Sequence, residues 1–377
     1  MQDPRLKQLA SLLLNHSMHL KEGELFGIRS ALSAKPLIKE LMKEAHRIGA
    51  VPHPELRDEE LQRLTFGFID PENPGPARAA LKKQAEWERA RWSHLVGQVV
   101  IGVEENDAEL SAADPRAIAI HKAELKEVHD LTVNERRWVL LHWPTRAAAQ
   151  KAGMCYDDFY EFFLNAALVD YDEMEKNMRP LAELMRRTDR VRLLGKGTDL
   201  SFSIRGVNVI PCAGEMNIPD GEVFTAPLRE SANGVIQYNT PLIEQGKRYE
   251  NPRFVFENGR IVEASCGNDT QGLNALLDTD EGARYLGEFA LGVNNAVTKP
   301  IGNTLYDEKI GGSFHLTPGA AYEVAFNGNR SVLHMDIVCM QAQPYGGEIY
   351  FDGVCVRRDG LFTLPELTGL NPKGERE

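Results

Sequence analysis

Leucines at 6, 9, 12 and 13 open the chain at helical spacing. EGELFGIR (22–29) then follows a turn and reads as a short strand. Ser33 to Ala50 reads as a helix, with Ser33 as N-cap, Pro36 early, Leu37, Leu41 and Ala45 on one face, and Gly49 at its end. Residues 77–94 are charged and helical. GQVVIGVE (97–104) and WVLLHWP (138–144) are short, apolar runs of the buried-strand type, the second stopped by Pro144. Alternation of this kind predicts parallel strands with helices packed on them, an α/β N-terminal domain with a doubly wound, mostly parallel sheet.

Residues 155–188 are expected to be wholly helical. The rhythm then changes. VRLLGKGTDLSFSI (191–204) sets a strand, a Gly-rich turn and an alternating segment in sequence with no helix between. Short alternating strands and glycine turns continue from there, with one clear helix expected around 272–292. The pattern predicts two domains, 1–195 and 196–377, the second α+β. The polar tail after Pro372 is expected to fray.

The length suits this division at about 150 residues per domain. Apolar residues make up 42% and charged residues 26%, enough to bury a core and too balanced for a disordered chain. The formal charge of −12 argues against broad contact with nucleic acid or an anionic membrane, and favours carboxylate-rich, cation-binding chemistry. Five dispersed cysteines with no C-x-x-C spacing indicate neither a disulfide framework nor a thiolate zinc site. The leucines near the N-terminus are spaced, unlike a signal peptide, and no run approaches the roughly 18 apolar residues of a membrane span. A cytoplasmic protein is expected.

The Gly195-Lys196-Gly197 turn lacks the third glycine and following helix of a dinucleotide fingerprint. There is no G-x-x-x-x-G-K-[ST], H-E-x-x-H or G-x-S-x-G. The chemistry lies in the second half. SVLHMDIVCM (331–340) reads as a strand that places His334 and Asp336 on one face. A carboxylate in such company is costly unless it is paired or binds a metal. SFHLTPGAAYEVAF (313–326) puts His315 before a Pro318-Gly319 turn and Tyr322 on the strand expected to return from it. NIPDGEVFTAP (217–227) sets Glu222 at the mouth of a strand. DTDEGARYLGEFALG (278–292) carries Glu288 within the expected helix, off its apolar stripe and four residues after Arg284. Each has an ordinary structural reading: a core His–Asp pair, a hairpin His, a turn Glu, a surface Arg–Glu pair. Together, oxygen and imidazole donors without thiolate suit Zn²⁺, Co²⁺, Mn²⁺ or Fe²⁺. Five such donors exceed one tetrahedral zinc with an open position and match two metals sharing a carboxylate.

These stretches resemble the M29 metallopeptidases, the aminopeptidase T and aminopeptidase S group. The likeness runs the whole chain and is strongest from about 194 to 340, through GTDLSFSI, NIPDGEVFTAP, GRIVEASCG, DTDEGARYLGEFALG, NTLYDEKIGGSFHL and HMDIV. The family's two metal-binding glutamates match Glu222 and Glu288. Its H-x-x-x-G-x-x-Y motif matches His315 and Tyr322, and its His-x-Asp pair matches His334 and Asp336. Thr317-Pro318 departs from the small and apolar residues expected inside that motif, and the interval from Tyr322 to His334 is short. The resemblance implies a C-terminal catalytic, metal-binding domain in a homodimeric aminopeptidase that acts on peptides with a free N-terminus. It implies two divalent ions (Zn, Co or Mn) held by Glu222, Glu288, His315, His334 and Asp336. Glu288 is expected next to the attacking water, as bridging ligand or base, and Tyr322 as a donor to the oxyanion. Asp307 and Glu308 are nearby acids, expected in a solvated loop. His315, His334 and Asp336 alone would form the two-His-one-carboxylate set of a mononuclear Fe(II) ring-cleaving dioxygenase. Retention of both glutamates argues against that alternative. A non-catalytic binding protein is the other alternative, and it should have lost at least one ligand.

Overall fold

A computed structural model describes residues 3–244 and 246–373; the part of the expected frayed tail from 374 onward lies outside them. The chain divides into two compact units, Met1–Leu168 with Gly214–Ile218, and Val169–Ala213 with Pro219–Glu377.

The first unit is built on a five-stranded, wholly parallel sheet. Its order is Val51–Leu56, Leu25–Ser30, Gly97–Gly102, Arg137–His142 and Asn217–Ile218. The central strands bury Phe26, Ile28, Val99, Ile101, Val139 and Leu141, so they read as apolar runs. The edge strand Val51–Leu56 is largely exposed and contains Pro52 and Pro54, residues that an interior strand would not accept. Helix Lys35–Ile48 packs its Leu37, Leu41 and Ala45 inward and ends at Gly49 in the left-handed conformation. Ser33 does not cap it; the single turn Leu32–Ala34 precedes the helix instead.

The helical stretch expected over 155–188 is two helices, Tyr156–Ala167 and Tyr171–Arg187. The break falls where Asp170 turns its carboxylate to cap the Glu173 amide. The chain passes from one unit to the other at this break, so residue 195 lies inside the second unit. The reason is the buried stripe of the second helix (Tyr171, Met178, Leu181, Ala182, Met185), which packs on Ile210–Cys212 and on the turn Pro365–Leu370.

The second unit holds an eight-stranded antiparallel sheet and a five-stranded antiparallel sheet. The smaller sheet has the order Ile337–Met340, Ser313–Pro318, Leu286–Gly292, Glu222–Thr225 and Ile210–Cys212. Phe202 of the larger sheet meets Phe289 of the smaller edge to face, with ring centroids 5.0 Å apart. The α/β and antiparallel α+β classes are therefore both present. Among the described residues, no helix is long and apolar enough to cross a membrane.

One expected element is replaced. The helix over 272–292 stops at Leu277, and Leu286–Gly292 is the central strand of the five-stranded sheet. That strand is buried on both faces along its whole length, and such an apolar run cannot be told from a buried helix by periodicity. Gly287 marks the difference. A β-carbon there would lie 2.2 Å from the Ala320 carbonyl oxygen, and the pairing register shifts between Leu286 and Glu288.

Candidate metal centre

In antiparallel pairing, residues directly opposite one another share a face. Gly292 pairs with Glu222, Ala290 with His315, and Glu288 with Thr317. Glu222, Glu288, His315 and Thr317 therefore project from one face of the five-stranded sheet. Ala290 and Gly292 are the small residues between them. A β-carbon on Gly292 would meet the Ile310 oxygen at 2.3 Å and the Glu308 oxygen at 3.0 Å, so this glycine lets the 308–310 segment lie directly on the sheet.

The remaining site residues arrive on loops. The expected strand over 331–340 is confined to Ile337–Met340. His334 and Asp336 precede it, held by the bridge between Gly319 and His334 and by Met335 N donating to Pro318 O. They still face the same centre, with His334 Nε2 3.3 Å from Asp336 Oδ1. His334 Nδ1 faces the Ala320 carbonyl at 2.8 Å, which leaves Nε2 for the centre. Tyr322 lies on no strand. It begins the short turn Glu323–Ala325, with its ring 4.6 Å from that of His334 and 5.8 Å from that of Phe224. Arg284 does not pair with Glu288; it binds Asp278 at 2.6 Å.

All six expected site residues converge. His315 Nε2 lies 3.0 Å from Glu288 Oε1 and 3.6 Å from Glu222 Oε2. Glu288 Oε2 lies 3.5 Å from His334 Nε2. Glu222, Glu288 and His315 thus form one group of potential metal donors, and Glu288, His334 and Asp336 another, with Glu288 common to both. Glu308, His315 and Asp336 form a third group. Donor atoms about 2.0–2.2 Å from an ion stand about 2.8–3.6 Å from one another, depending on coordination geometry. The observed separations fall in that range. Glu222 Oε2 and Glu288 Oε2 are buried and have no hydrogen-bond partner, a costly state that a cation relieves. The donor set fits a divalent metal.

The charges reinforce this. Burial, opposed mainly by Lys309, pushes the Glu222 carboxyl up to about 8. Burial also raises Glu308. Burial works against charge on His315 and His334, but their carboxylate neighbours outweigh it: the Glu288 hydrogen bond and Glu222 lift His315 to about 9, and Asp336 lifts His334 to about 10. Burial opposes ionisation of Asp336 as well, yet the two histidines and the Thr317 hydroxyl hold it below the usual range. Without metal the ring therefore retains protons on its histidines. The Tyr322 phenol is raised by burial and by the surrounding carboxylates, so it stays a hydrogen-bond donor.

Three participants were not expected. Thr317, one of the departures inside the histidine motif, is fully buried and donates from Oγ1 to Asp336 Oδ1 at 2.6 Å. Glu308 sits in the ring, not in a solvated loop, while Asp307 accepts from the amides of Ile301 and Gly302 and shapes the turn. Lys309 is fully buried and binds Glu222 at 2.7 Å and Glu308 at 2.8 Å. The usable signal was the charged triplet Asp307-Glu308-Lys309 enclosed between Tyr306 and Ile310, both buried. A cavity of about 640 Å³ lined by Lys196, Gln237, Asn239, Gln341 and Tyr345 contains none of the site residues, so donor geometry and not cavity size locates the centre.

A buried carboxylate–imidazole ring with two unpartnered carboxylate oxygens is the kind of donor set that metal-dependent enzymes use. The family model described as thermophilic metalloprotease (M29) matches residues 2–347, and the chain belongs to that family. Aminopeptidase T of Thermus thermophilus is 27% identical over 398 residues, covering 92% of this chain and 95% of that protein. Aminopeptidase AmpS of Bacillus subtilis is 25% identical over 376 residues, covering 89% and 88%. The solved structure of wild-type AmpT from Thermus thermophilus shares the fold, with a TM-score of 0.78 and 24% identity over 96% of this chain and 99% of that one. The chain is therefore a metallopeptidase with aminopeptidase relatives, and its family implies a divalent metal for the ring described above.

Proposed function

We propose that this protein is an aminopeptidase that removes N-terminal residues from peptides with the aid of two divalent ions, Zn²⁺, Co²⁺ or Mn²⁺. Glu222 Oε2, Glu288 Oε1 and His315 Nε2 would hold one ion, and Glu288 Oε2, His334 Nε2 and Asp336 Oδ1 the other. The observation that carries the reading is the division of Glu288: its two oxygens face two different donor groups at ligand-like separations. That division would let Glu288 serve both ions as a shared ligand.

The ions would supply a bound water of lowered pKa and polarise the scissile carbonyl. The rest is done by the chain. Tyr322, protonated and beside His334, donates to the oxyanion as the carbonyl carbon becomes tetrahedral. A ring carboxylate takes the proton of the attacking water and passes it to the leaving amine. Thr317 fixes the orientation of Asp336, and the Ala320 carbonyl fixes that of His334. With Glu222 and Glu288 both turned into the ring, the three-ligand iron reading leaves the buried, unpartnered Oε2 atoms of both unexplained. We place the enzyme in the cytoplasm as a homodimer; five free cysteines spread through the chain accord with a reducing compartment.

The test is hydrolysis of aminoacyl p-nitroanilides by metal-stripped protein after addition of Zn²⁺, Co²⁺, Mn²⁺ or Fe²⁺, with light scattering for the dimer. Activity restored by a metal and lost in Glu288→Gln supports the proposal. Tight binding of a single iron with no hydrolysis under any condition contradicts it.

A further inference from the structure

Lys309 is enclosed by acids. Its Nζ lies 2.7 Å from Glu222 Oε1, 2.8 Å from Glu308 Oε1 and 3.5 Å from Asp220 Oδ1. An ammonium has three N–H donors and no acceptor, and here three carboxylates surround it, two of them at 2.8 Å or less. Its backbone is held on both sides, the amide donating to Tyr306 O and the carbonyl accepting from Asn294 N, each at 3.0 Å. The side chain thus enters the ring from a fixed point.

Two of those acids, Asp220 and Glu222, also belong to a separate group of potential metal donors completed by Cys212. Those three donor atoms lie within 4.8 Å of one another. Lys309 sits against two of the three. It also divides Glu222, binding Oε1 while Oε2 faces His315. Five carboxylates (Asp220, Glu222, Glu288, Glu308, Asp336) against one ammonium leave four formal negative charges, the number that two divalent ions neutralise.

We infer that Lys309 is a resident cation: its ammonium fills a third cation position beside the two metal positions, closes the Cys212–Asp220–Glu222 group to metal, and restricts Glu222 to one metal-facing oxygen. The inference rests on the metal-centre reading given above. Lys309 is a positioning residue, acting through Glu222 and Glu308. Its consequence for metal choice is chemical. With the thiol group closed, the centre offers only oxygen and imidazole; opened, it would add a soft thiolate donor.

The experiment is Co²⁺ titration of the metal-stripped full chain, reading bound equivalents by equilibrium dialysis and the thiolate-to-cobalt charge-transfer band by near-ultraviolet absorption. Wild type should saturate with no thiolate band. Lys309→Ala should take up one equivalent more than wild type and show the band. Cys212→Ser in the Lys309→Ala background should remove the band, and Lys309→Arg, which keeps a cation in place, should restore the band-free titration. If Lys309→Ala folds only with metal, purification in Co²⁺ gives the same readings. A thiolate band in wild type, or no added equivalent and no band in Lys309→Ala, overturns the inference. The increment tests it, whereas the wild-type total tests the two-metal reading: one equivalent in wild type with a further one in Lys309→Ala would sink that reading and uphold the role of Lys309.

Discussion

The two five-stranded sheets solve opposite problems. The parallel sheet of the first unit buries Phe26, Ile28, Val99, Ile101, Val139 and Leu141, and its stability is that of apolar packing. The antiparallel sheet of the second unit is at least as deeply buried, yet one face carries Glu222, Glu288, His315 and Thr317, with Lys309 laid over it. Buried charge on that scale is tolerable only with compensating charge close by. The first sheet is complete with its own side chains. The second leaves two buried carboxylate oxygens unpartnered and lays one cation, Lys309, against its acids.

This contrast can be broken at its strongest point by Glu288→Gln, which removes the carboxylate common to both donor groups. The expected result is a fall in kcat/KM of about 1,000-fold or more, equivalent to about 4 kcal/mol, with metal content reduced in the same preparation. Leu141→Ala strikes the other sheet. It should cost about 2–5 kcal/mol in denaturant unfolding while leaving kcat/KM per folded molecule unchanged. Loss of metal affinity in that variant would show that the two sheets do not divide the labour as described. Thr317→Val keeps shape and removes the hydroxyl on Asp336; metal affinity by competition with a chelator should fall about 10–100-fold with little change in unfolding.

A last effect is on pH. In the metal-free protein His315 and His334 have pKa values raised to about 9 and about 10, above their unfolded values near 6.5. Their contribution to folding is therefore fully present below about pH 6.5 and is lost as pH rises through 9 and 10. Metal needs the same nitrogens deprotonated, so its apparent affinity should rise with pH over that window, and binding at neutral pH should release protons. Calorimetry in buffers of different ionisation enthalpy reads the proton count. Thermal scans should show the metal-free protein weakening with alkalinity, with the loaded protein largely spared. Metal affinity independent of pH from 6 to 9 would contradict the protonated ring.

The same contrast explains what could be read from the residues. Gly97–Gly102 and Arg137–His142 were recognisable because an apolar strand flanked by helices has few alternatives. The six candidate residues are legible as donor types, and by family likeness, without any knowledge of their local structure. Their local structure is less legible. The sequence predicts a helix around Glu288 because Leu286–Gly292 is buried on both faces and carries no alternation. His334 and Asp336 share a face as residues two apart on a strand would, although a loop presents them. Glu308 and Lys309 were hidden for a different reason. Three adjacent charged residues ordinarily mark a solvated turn, and only the approach of that segment to Gly292, a contact distant in sequence, puts them in the ring. Thr317 looked like a disturbance of the motif because its partner, Asp336, lies 19 residues away.

The most direct measurement is a crystal structure of the cobalt-loaded protein with anomalous differences collected at the cobalt edge. Two peaks are expected about 3.5–4 Å apart, one among Glu222 Oε2, Glu288 Oε1 and His315 Nε2, the other among Glu288 Oε2, His334 Nε2 and Asp336 Oδ1. A single peak, or a pair not bridged by Glu288, would contradict the two-metal reading.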